Sequence, residues 1–348
     1  MLDPVEARRY HALISDFVDK HLSERNFNGG ILVAKRGVIV YERYSGYENM
    51  QTKTPMTATS SLQVASTGKT LTSAAILKLI QEEKMALNDP VTKFIPEFPY
   101  TDVTVKMMLN HRSGLPNYLY YMESLGWNKK ITATNEDVIN TLIQWKPAPM
   151  FRAGTRFTYC NTNYVILASI IERVSGVSYP EYMKENFFKP LGMENTFVKT
   201  QADSASVLYS YQGNGSFWRP DFTDGPYGDK NIYSTPQDLL KWDQALYTES
   251  IIHQPLLDSA FTPYSNEKPG VKNYGLGWHL LILPHNKKVI FHNGRWHGFN
   301  AVFARLTDEE ITIIMTDNKL NMGVYGTAKK MYNLFGSYSG EKDDSTED

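Results

Sequence analysis

The stretch STGKTLTSAAILKLIQEE at residues 66–83 lies where the chain changes from predicted strand to predicted helix. Its opening Ser-Thr-Gly-Lys leads into an apolar run that is typical of a buried helix. Upstream, two β-branched runs, Ile31–Ala34 and Val38–Tyr41, flank the turn Lys35-Arg36-Gly37 and predict an antiparallel hairpin. The stretch therefore predicts the point at which a strand-rich beginning gives way to a helical middle.

Elements of both kinds continue outward from this boundary. An amphipathic helix is predicted before the hairpin over Pro4–Leu22, since apolar residues recur there at helical spacing. Further helices are predicted over Ser66–Glu83, Asn135–Gln144, Asn161–Ser175, Tyr179–Phe188 and Thr235–Tyr247. Strand signals return at Gly277–Leu283, Lys288–His292, Phe299–Leu306 and Glu310–Thr316, before a last helix over Met322–Phe335.

The order of these elements predicts the fold class. Strands occupy both ends of the chain and helices the middle, without the regular strand–helix alternation of a parallel sheet. We therefore expect an α+β fold, with an antiparallel sheet flanked by N- and C-terminal helices and a mostly helical second lobe. Residues 1–64 and 270–338 would form the discontinuous sheet domain, and residues 65–269 the helical domain. Residues 339–348, rich in Gly, Ser and acids, have the composition of a disordered tail.

Composition narrows the class of function. The chain has 36 Lys and Arg against 37 Asp and Glu, so its net charge of −1 offers no basic face for nucleic acid. The longest apolar candidate, Val165–Ile171, is too short to span a membrane. Cys160 is the one cysteine, which excludes an intrachain disulfide and a cysteine zinc site. The first residues contain no signal-peptide core.

Ser66 and Lys69 form the first candidate for catalysis. A serine hydroxyl becomes a useful nucleophile when a neighbour takes its proton, and a lysine amine can do so if burial lowers its pKa from about 10.4. The two residues lie one helical turn apart and share one face. A helix cap and a solvated lysine are the alternative interpretation. The second copy of the pattern, Ser265-Asn266-Glu267-Lys268, lies in a polar loop and is set aside.

Tyr159-Cys160-Asn161 forms the second candidate. In an extended segment the phenol and the amide, two positions apart, point into one cleft. A tyrosine beside lysines can serve as a general base if those charges lower its pKa from about 10. The alternatives are a half-buried aromatic for Tyr159 and a helix N-cap for Asn161, and the pattern recurs at Tyr47-Glu48-Asn49. Cys160 is expected to be a buried apolar residue, not a nucleophile.

His292-Asn293-Gly294 and the following Arg295 form the third candidate, at the end of a predicted strand. Glycine at residue 294 would let a substrate backbone approach the strand edge. The backbone N–H of Arg295, paired with that of Ser66, would form an oxyanion hole.

Taken together, these motifs resemble the serine β-lactamase and penicillin-binding-protein family, in its class C β-lactamase-like branch of β-lactamases, D-Ala-D-Ala carboxypeptidases, D-aminopeptidases and esterases. The resemblance extends from about residue 27 to residue 335. It includes segments without chemistry of their own, such as LNHRSGLP at residues 109–116 and IYSTPQDL at residues 232–239. Because ordered motifs and framework agree, the resemblance implies a β-lactamase/transpeptidase-like fold.

Position by position, the resemblance implies roles for the motif residues. Ser66 would be the acyl-enzyme nucleophile, with Lys69 and Tyr159 as the proton-transfer pair. Asn161 would hydrogen-bond the substrate amide. The loop that contains Tyr118 lines the site in this family, which makes Tyr118 a candidate substrate contact.

The third motif departs from the Lys-Thr-Gly of the wider family. His292 and Asn293 stand in place of a permanent cation and a hydroxyl, and a histidine with a pKa of about 6.5 is mostly uncharged at pH 7. Gly294 would keep the strand edge open, and Arg295 is a candidate for the missing charge. Esterases and peptidases of this branch tolerate the His form, so the departure favours a broader hydrolase over a dedicated β-lactamase.

The resemblance implies a serine hydrolase that acts through an acyl-enzyme on a small ester, amide or peptide. The alternative is a penicillin-binding sensor that is acylated once without turnover. No cofactor or metal is expected, because acyl transfer through serine needs neither and because His292 and His297 lack a placed carboxylate partner. Relatives are often exported, so the resemblance also implies a periplasmic location after removal of a leader.

Overall fold

The computed structural model describes residues 2–22, 27–268, 270–284 and 287–338. The α-helices of these residues are α1 (Pro4–His21), α2 (Lys69–Gln81), α3 (Val105–Leu109), α4 (Tyr118–Ser124), α5 (Asn135–Trp145), α6 (Asn161–Ser175), α7 (Tyr179–Met183), α8 (Pro236–Thr248), α9 (Gln254–Ala260) and α10 (Val324–Tyr332). The strands are β1 (Gly29–Lys35), β2 (Val38–Ser45), β3 (Tyr47–Asn49), β4 (Thr54–Pro55), β5 (Leu62–Gln63), β6 (Phe197–Val198), β7 (Ile232–Ser234), β8 (Lys272–Tyr274), β9 (His279–Ile282), β10 (Lys288–Trp296), β11 (Phe299–Leu306) and β12 (Ile311–Asp317). The predicted tail, residues 339–348, lies outside the described residues.

In the described part of the chain, seven strands form one antiparallel sheet in the order β2-β1-β12-β11-β10-β9-β8. Strand β1 pairs with β12, so that Gly29 faces Asp317 and segments from the two ends of the chain lie side by side. Hairpins join β1 to β2 and β11 to β12. The predicted α+β class with a large antiparallel sheet is confirmed.

Helices cover both faces of this sheet, because side chains alternate along each strand. On one face, Phe291 belongs to a core that includes Ile14 of α1 and Met331 of α10. On the other face, the adjacent Ile290 belongs to the larger core, which includes Ile76 of α2 and buried residues of α6 and α8. The first and last helices therefore lie opposite the helical middle of the chain.

The agreement with the predicted elements depends on their length. Helix α6 and strand β11 have the predicted bounds, Asn161–Ser175 and Phe299–Leu306. The sequence does not predict α3, α4, α9 or β8, because elements of at most seven residues give too little periodicity. The predicted helix Tyr179–Phe188 is α-helical only as far as Met183 and continues as a π-helical turn.

Two boundaries near the candidate motifs differ from the prediction. The helix predicted to begin at Ser66 starts with a 3₁₀ turn, Ala65–Gly68, and becomes α-helical at Lys69. Strand β10 continues four residues beyond its predicted end at His292, to Trp296, because its pairing with β11 continues there. The third motif therefore lies within a strand.

A buried ion pair joins the sheet to the helical middle. Arg305 of β11 donates from Nε to Oδ1 of Asp243 in α8 at 2.6 Å, and both side chains are almost completely buried. Thr312 of β12 donates to the other carboxylate oxygen at 2.7 Å. Because a buried charge that loses its partner is costly, this pair fixes how α8 sits on the sheet.

Asp243→Asn is expected to lower the free energy of unfolding by about 3 kcal/mol or more, because it leaves the Arg305 guanidinium buried without its counter-charge. The matched control is Glu310→Gln, which removes the exposed pair Arg36–Glu310 and should change stability by about 1 kcal/mol or less. Urea unfolding measures both variants. Equal losses in the two would show that the buried pair does not hold α8.

Candidate active site

Ser66 lies in the tight turn between β5 and α2. Its neighbour Ala65 has a φ of +47°. A residue other than glycine is strained in this left-handed region, so surrounding contacts must hold the turn. Thr67 supplies one of them, since its Oγ1 donates to the His292 carbonyl of β10 at 3.0 Å. The candidate nucleophile is therefore tied to the sheet.

Gly294 lets β10 approach this turn. A Cβ atom at residue 294 would lie 3.0 Å from the Ser66 nitrogen and 2.9 Å from the Thr67 nitrogen, and closer still to the Val64 carbonyl oxygen. The protein's own backbone thus fills the space that the sequence suggested for a substrate. Glycine is needed at this position for contact between strand and turn, which corrects the expectation that it admits a substrate backbone.

The amine of Lys69 is completely buried and contacts three oxygens. Its Nζ lies 3.0 Å from Ser66 Oγ, 2.8 Å from Asn161 Oδ1 and 2.7 Å from the Asp229 carbonyl oxygen. These oxygens belong to the turn, to the first residue of α6 and to the loop before β7. The structure therefore brings Ser66, Lys69 and Asn161 within hydrogen-bond distance.

Burial lowers the pKa of Lys69 from its ordinary value of 10.5 to about 7. The Asp229 carboxylate opposes this effect, and the Lys230 ammonium adds to it. The amine is therefore partly neutral at pH 7, which is the state in which it can accept a proton.

Tyr159 lies beside this amine. The Lys69 Nζ is 5.1 Å from the centre of the Tyr159 ring, and the phenol oxygen is buried with no hydrogen-bond partner among the described residues. Burial raises the pKa of Tyr159 above its ordinary value, although the nearby Ser66 hydroxyl offsets part of the rise. The expectation that nearby lysines lower this pKa is wrong, because loss of solvation raises it and no lysine is among the groups that offset the rise.

His292 is buried among aromatic rings. Its Nε2 lies 3.1 Å from the Tyr274 hydroxyl, and its Nδ1 lies 2.7 Å from the Asn293 carbonyl oxygen. The ring centres of Tyr159, Tyr274 and His279 are 4.8 to 6.3 Å away. Burial lowers the pKa of His292 well below 6.5. The imidazole is therefore uncharged at pH 7 and does not replace the cation of the Lys-Thr-Gly motif.

The Arg295 side chain points away from the candidate nucleophile. Side chains alternate along β10, so this side chain lies on the face opposite His292 and Gly294. The exposed Arg295 guanidinium contacts Met322 Sδ at 3.3 Å, just before α10. The expectation that the Arg295 side chain supplies the missing charge at the site is therefore wrong. Substrate binding by Asn293, whose buried Oδ1 has no hydrogen-bond partner among the described residues, stays a prediction. The Arg295 N–H stays a predicted oxyanion donor.

Tyr118 is completely buried, so the expectation that it contacts substrate is wrong. Its hydroxyl donates to Asp229 Oδ2 at 3.0 Å and accepts from Lys230 Nζ. Asp229 and Lys230 also pair with each other at 3.3 Å. The sequence does not single out these two residues, because adjacent opposite charges in a polar loop are ordinarily exposed. Asp229, moreover, reaches Lys69 through its backbone, which no residue type reveals.

Asp221, Asp224 and His297 form the one group of possible metal ligands found in the described ranges, with ligand atoms within 4.8 Å of one another. The Asp224 carboxylate lies 2.9 Å from His297 Nε2 and also accepts from the Trp296 indole and the Asp221 N–H. The group satisfies its own hydrogen bonds and needs no ion. His297 therefore pairs with a carboxylate that the sequence did not place, and not with the other histidine of the third motif.

Comparison with known proteins identifies the family. Residues 13–336 match the family model described as Beta-lactamase. Penicillin-binding protein 4* of Bacillus subtilis is 32% identical over 328 residues, which are 90% of this chain and 72% of that protein. An octameric penicillin-binding protein homologue from Pyrococcus abyssi has a TM-score of 0.80 at 28% identity, over 93% of this chain and 76% of that chain. D-amino acid amidase from Ochrobactrum anthropi has a TM-score of 0.77 over 93% and 98% of the two chains, and at 21% identity it shows the fold alone.

The chain belongs to the β-lactamase family of serine hydrolases, which includes the penicillin-binding proteins. The resemblance inferred from the sequence motifs is thus confirmed, and so is the β-lactamase/transpeptidase-like fold. None of the helices in the described ranges has both the length and the hydropathy of a transmembrane span.

Gly294→Ala is expected to lower stability by about 1–3 kcal/mol and to slow covalent labelling of Ser66, because the added methyl group pushes β10 away from the turn. The matched control is Gly326→Ala in α10, where the methyl group meets open space and should stabilise the helix by about 0.5–1 kcal/mol. Thermal unfolding and the rate of labelling by a fluorophosphonate measure the two effects. Similar behaviour of the two variants would contradict the close contact.

Proposed function

We propose that this protein is a serine hydrolase that uses Ser66 to form an acyl-enzyme with small ester or amide substrates. The observation that carries the proposal is the 3.0 Å contact between Ser66 Oγ and the fully buried Lys69 Nζ. A serine beside a partly neutral amine can lose its proton as its oxygen attacks a carbonyl carbon. Membership of a family of serine hydrolases supports the same reaction.

The protonation state of Lys69 sets the direction of proton transfer. A neutral amine has two N–H groups and one lone pair. Nζ can donate to Asn161 Oδ1 and to the Asp229 carbonyl while its lone pair faces the Ser66 hydroxyl. The third contact then runs from the Ser66 O–H to Nζ. As the Ser66 oxygen bonds to the substrate carbon, its proton passes to Lys69.

Two backbone N–H groups, of Ser66 and Arg295, would hold the oxyanion that forms in this step. The close approach of Gly294 to the Ser66 nitrogen supports this pairing, because residue 295 follows directly along β10. The side-chain amide of Asn161 turns its oxygen to Lys69, which leaves its N–H groups to donate to the substrate.

The neutral phenol of Tyr159 is suited to pass the proton onward. Its oxygen has no partner among the described residues, and the centre of its ring lies 5.1 Å from the Lys69 Nζ. When the tetrahedral intermediate breaks the bond to the leaving alcohol or amine, that group takes the proton from Lys69 through Tyr159. Water then attacks the acyl carbon and gives its proton to Lys69 through Tyr159. The bond between the acyl carbon and Ser66 Oγ breaks, Ser66 regains a proton from Lys69, and the acid is released.

The substrate is an ester or amide without a carboxylate next to the scissile bond. Three basic groups of the described site are not available to a substrate carboxylate: Lys230 pairs with Asp229, the Arg295 side chain contacts Met322, and His292 is neutral. A substrate carboxylate would lose its hydration without gaining a counter-charge. The fold shared with D-amino acid amidase is consistent with an amide of this kind.

A penicillin-binding protein that is acylated without turnover is the second candidate. The 32% identity with penicillin-binding protein 4* of Bacillus subtilis favours it. Both candidates need the same activated Ser66, so they differ only in deacylation. Multiple turnover of an ester substrate distinguishes the hydrolase, whereas a stable adduct without product indicates the binding protein.

Ser66→Ala is expected to abolish covalent labelling by a fluorophosphonate and to lower hydrolysis of a chromogenic short-chain ester by about 10³-fold or more, since the attacking oxygen is gone. Intact-mass spectrometry and the ester assay measure these effects. The matched control is Ser265→Ala, at the second copy of the Ser-x-x-Lys pattern, which should keep both activities. Labelling of Ser66→Ala at the wild-type rate would remove Ser66 from the mechanism.

A D-amino-acid amide is expected to have a kcat/KM about 10-fold or more above that of the matched D-dipeptide with a free carboxylate, because Lys230, His292 and Arg295 do not offer that carboxylate a counter-charge. Steady-state kinetics on the two substrates measure the ratio. His292→Lys should lower the ratio of the two kcat/KM values, because it places an ammonium on β10. A wild-type enzyme that prefers the carboxylate substrate would contradict the proposed substrate class.

A further inference from the structure

Asp229 contacts Lys69 with its backbone and a second lysine with its side chain. The Asp229 carbonyl accepts from Lys69 Nζ at 2.7 Å. Its Oδ2 accepts from the Tyr118 hydroxyl at 3.0 Å and lies 3.3 Å from Lys230 Nζ. All four side chains are buried. A buried carboxylate–ammonium pair is therefore built directly against the candidate general base.

The segment that carries Asp229 is held in one conformation. Gly228 and Asn231 have φ values of +97° and +68°, which keep the segment sharply turned. Asn231 Oδ1 accepts from Gln63 Nε2 at 2.9 Å. The Gly228 carbonyl accepts from Thr72 Oγ1 of α2 at 2.7 Å, so the segment is bonded to the same helix that carries the base. The carbonyl of Asp229 is thus presented to the amine by a fixed backbone.

We propose that Asp229, whose carboxylate contacts Lys230 and Tyr118, is a positioning residue for the Lys69 amine. The proposal rests on the function proposed above, because it assigns Asp229 to the same proton transfer. The Asp229 carbonyl directs one N–H of the amine, so that the lone pair faces Ser66. The Asp229 carboxylate, with the adjoining ammonium, sets how readily the amine carries a proton.

Other titratable groups are packed around Lys69 on every side. They are Tyr159, Cys160 and Tyr164 before and in α6, His111 after α3, and Tyr274, His279 and His292 of β8, β9 and β10. Burial lowers the pKa of each of these histidines and raises the pKa of each tyrosine and of the thiol, so all are neutral near pH 7. Cys160 has the weakest of the three charge effects on Lys69, and its thiol is neutral near pH 7. The charges of Asp229 and Lys230 therefore act on Lys69, and Asp229 acts more strongly.

Asp229→Asn tests this assignment because it removes the charge but keeps the shape and the acceptor for Tyr118. Loss of the anion disfavours the Lys69 ammonium, so the amine stays neutral to lower pH. In the pH–rate profile of ester hydrolysis, the midpoint of the acid limb should lie near pH 7 in the wild type. In Asp229→Asn this midpoint is expected to shift to lower pH. The shift should be about one pH unit, the size that one charge produces at roughly 10 Å with an effective dielectric of about 20.

The double variant Asp229→Asn/Lys230→Met is expected to shift the limb less. It also removes the cation that disfavours the Lys69 ammonium, and the effect of Asp229 exceeds that of Lys230. The predicted order of acid limbs, from low to high pH, is therefore the single variant, the double variant and the wild type. A purely structural role would lower the rate at every pH without this order.

Lysine NMR provides a readout that does not need turnover. In protein labelled with carbon-13 lysine, the Lys69 signal is the one missing from Lys69→Arg, and its titration midpoint should fall in Asp229→Asn. The matched control is Asp243→Asn, which neutralises another buried aspartate, in α8. It is less stable, as predicted above, but under conditions in which it is folded it should leave the midpoint in place. A wild type that forms no adduct at Ser66 would end the proposed function, whereas the NMR midpoint decides separately on Asp229.

Coincident midpoints in the wild type, Asp229→Asn and Asp243→Asn would overturn the proposal, and so would an upward shift in Asp229→Asn. If Asp229→Asn does not fold, the double variant carries the test, because it leaves no unpaired buried charge. A lower midpoint in the double variant then supports the assignment, and an unchanged midpoint overturns it.

Discussion

The burial of one amine is the constraint on which the rest of this site depends. An ammonium loses much of its hydration on burial, so Lys69 must either be met by oxygen atoms or give up its proton. The structure does both in part, with three oxygens within 3.0 Å of Nζ and a pKa lowered to about 7. Because the oxygens come from a turn, a helix start and a loop, three separate segments must be placed to within a few tenths of an ångström.

The sheet supplies the reference for that placement. Strand β10 pairs with β9 only as far as Phe291, so its edge beyond this residue is open to the turn that carries Ser66. Thr67 bonds the turn to this edge, and Gly294 removes the side chain that would hold the two apart. The strained φ of Ala65 is sustained by these contacts. The site is therefore a contact between a strand edge and a helix start, more than a pocket within either lobe.

How much of the site the sequence could predict depends on whether a residue acts through its side chain or through its backbone. The spacing of Ser66 and Lys69 follows from helical geometry alone, so their juxtaposition is readable from the chain. The part played by Asp229 is a backbone carbonyl, which every residue has, so no pattern marks it. The direction of Arg295 could not be read because it depends on how far β10 extends, and one residue of register reverses a side chain.

The error for Tyr159 has the same kind of cause. Sequence shows which charges are near a phenol but not how completely water is removed from it. In the structure the side chain of Tyr159 is half-buried and its hydroxyl oxygen is buried, and burial has the largest effect on its pKa, which the Ser66 hydroxyl only partly offsets. Burial lowers the pKa of Lys69 to about 7, so the amine changes its charge near neutral pH, which supports the proposal of Lys69 as the base.

The charge balance around that amine also accounts for the departure in the third motif. A permanent cation on β10 would add to the repulsion that Lys230 already exerts on the Lys69 ammonium. The chain instead has a neutral His292 on β10, and Lys230 is paired with Asp229. The amine then responds mainly to burial and to one adjacent ion pair. With Lys230 paired, His292 neutral and Arg295 directed towards Met322, none of these three groups offers a nearby counter-charge to an anion, which supports the neutral substrate proposed above.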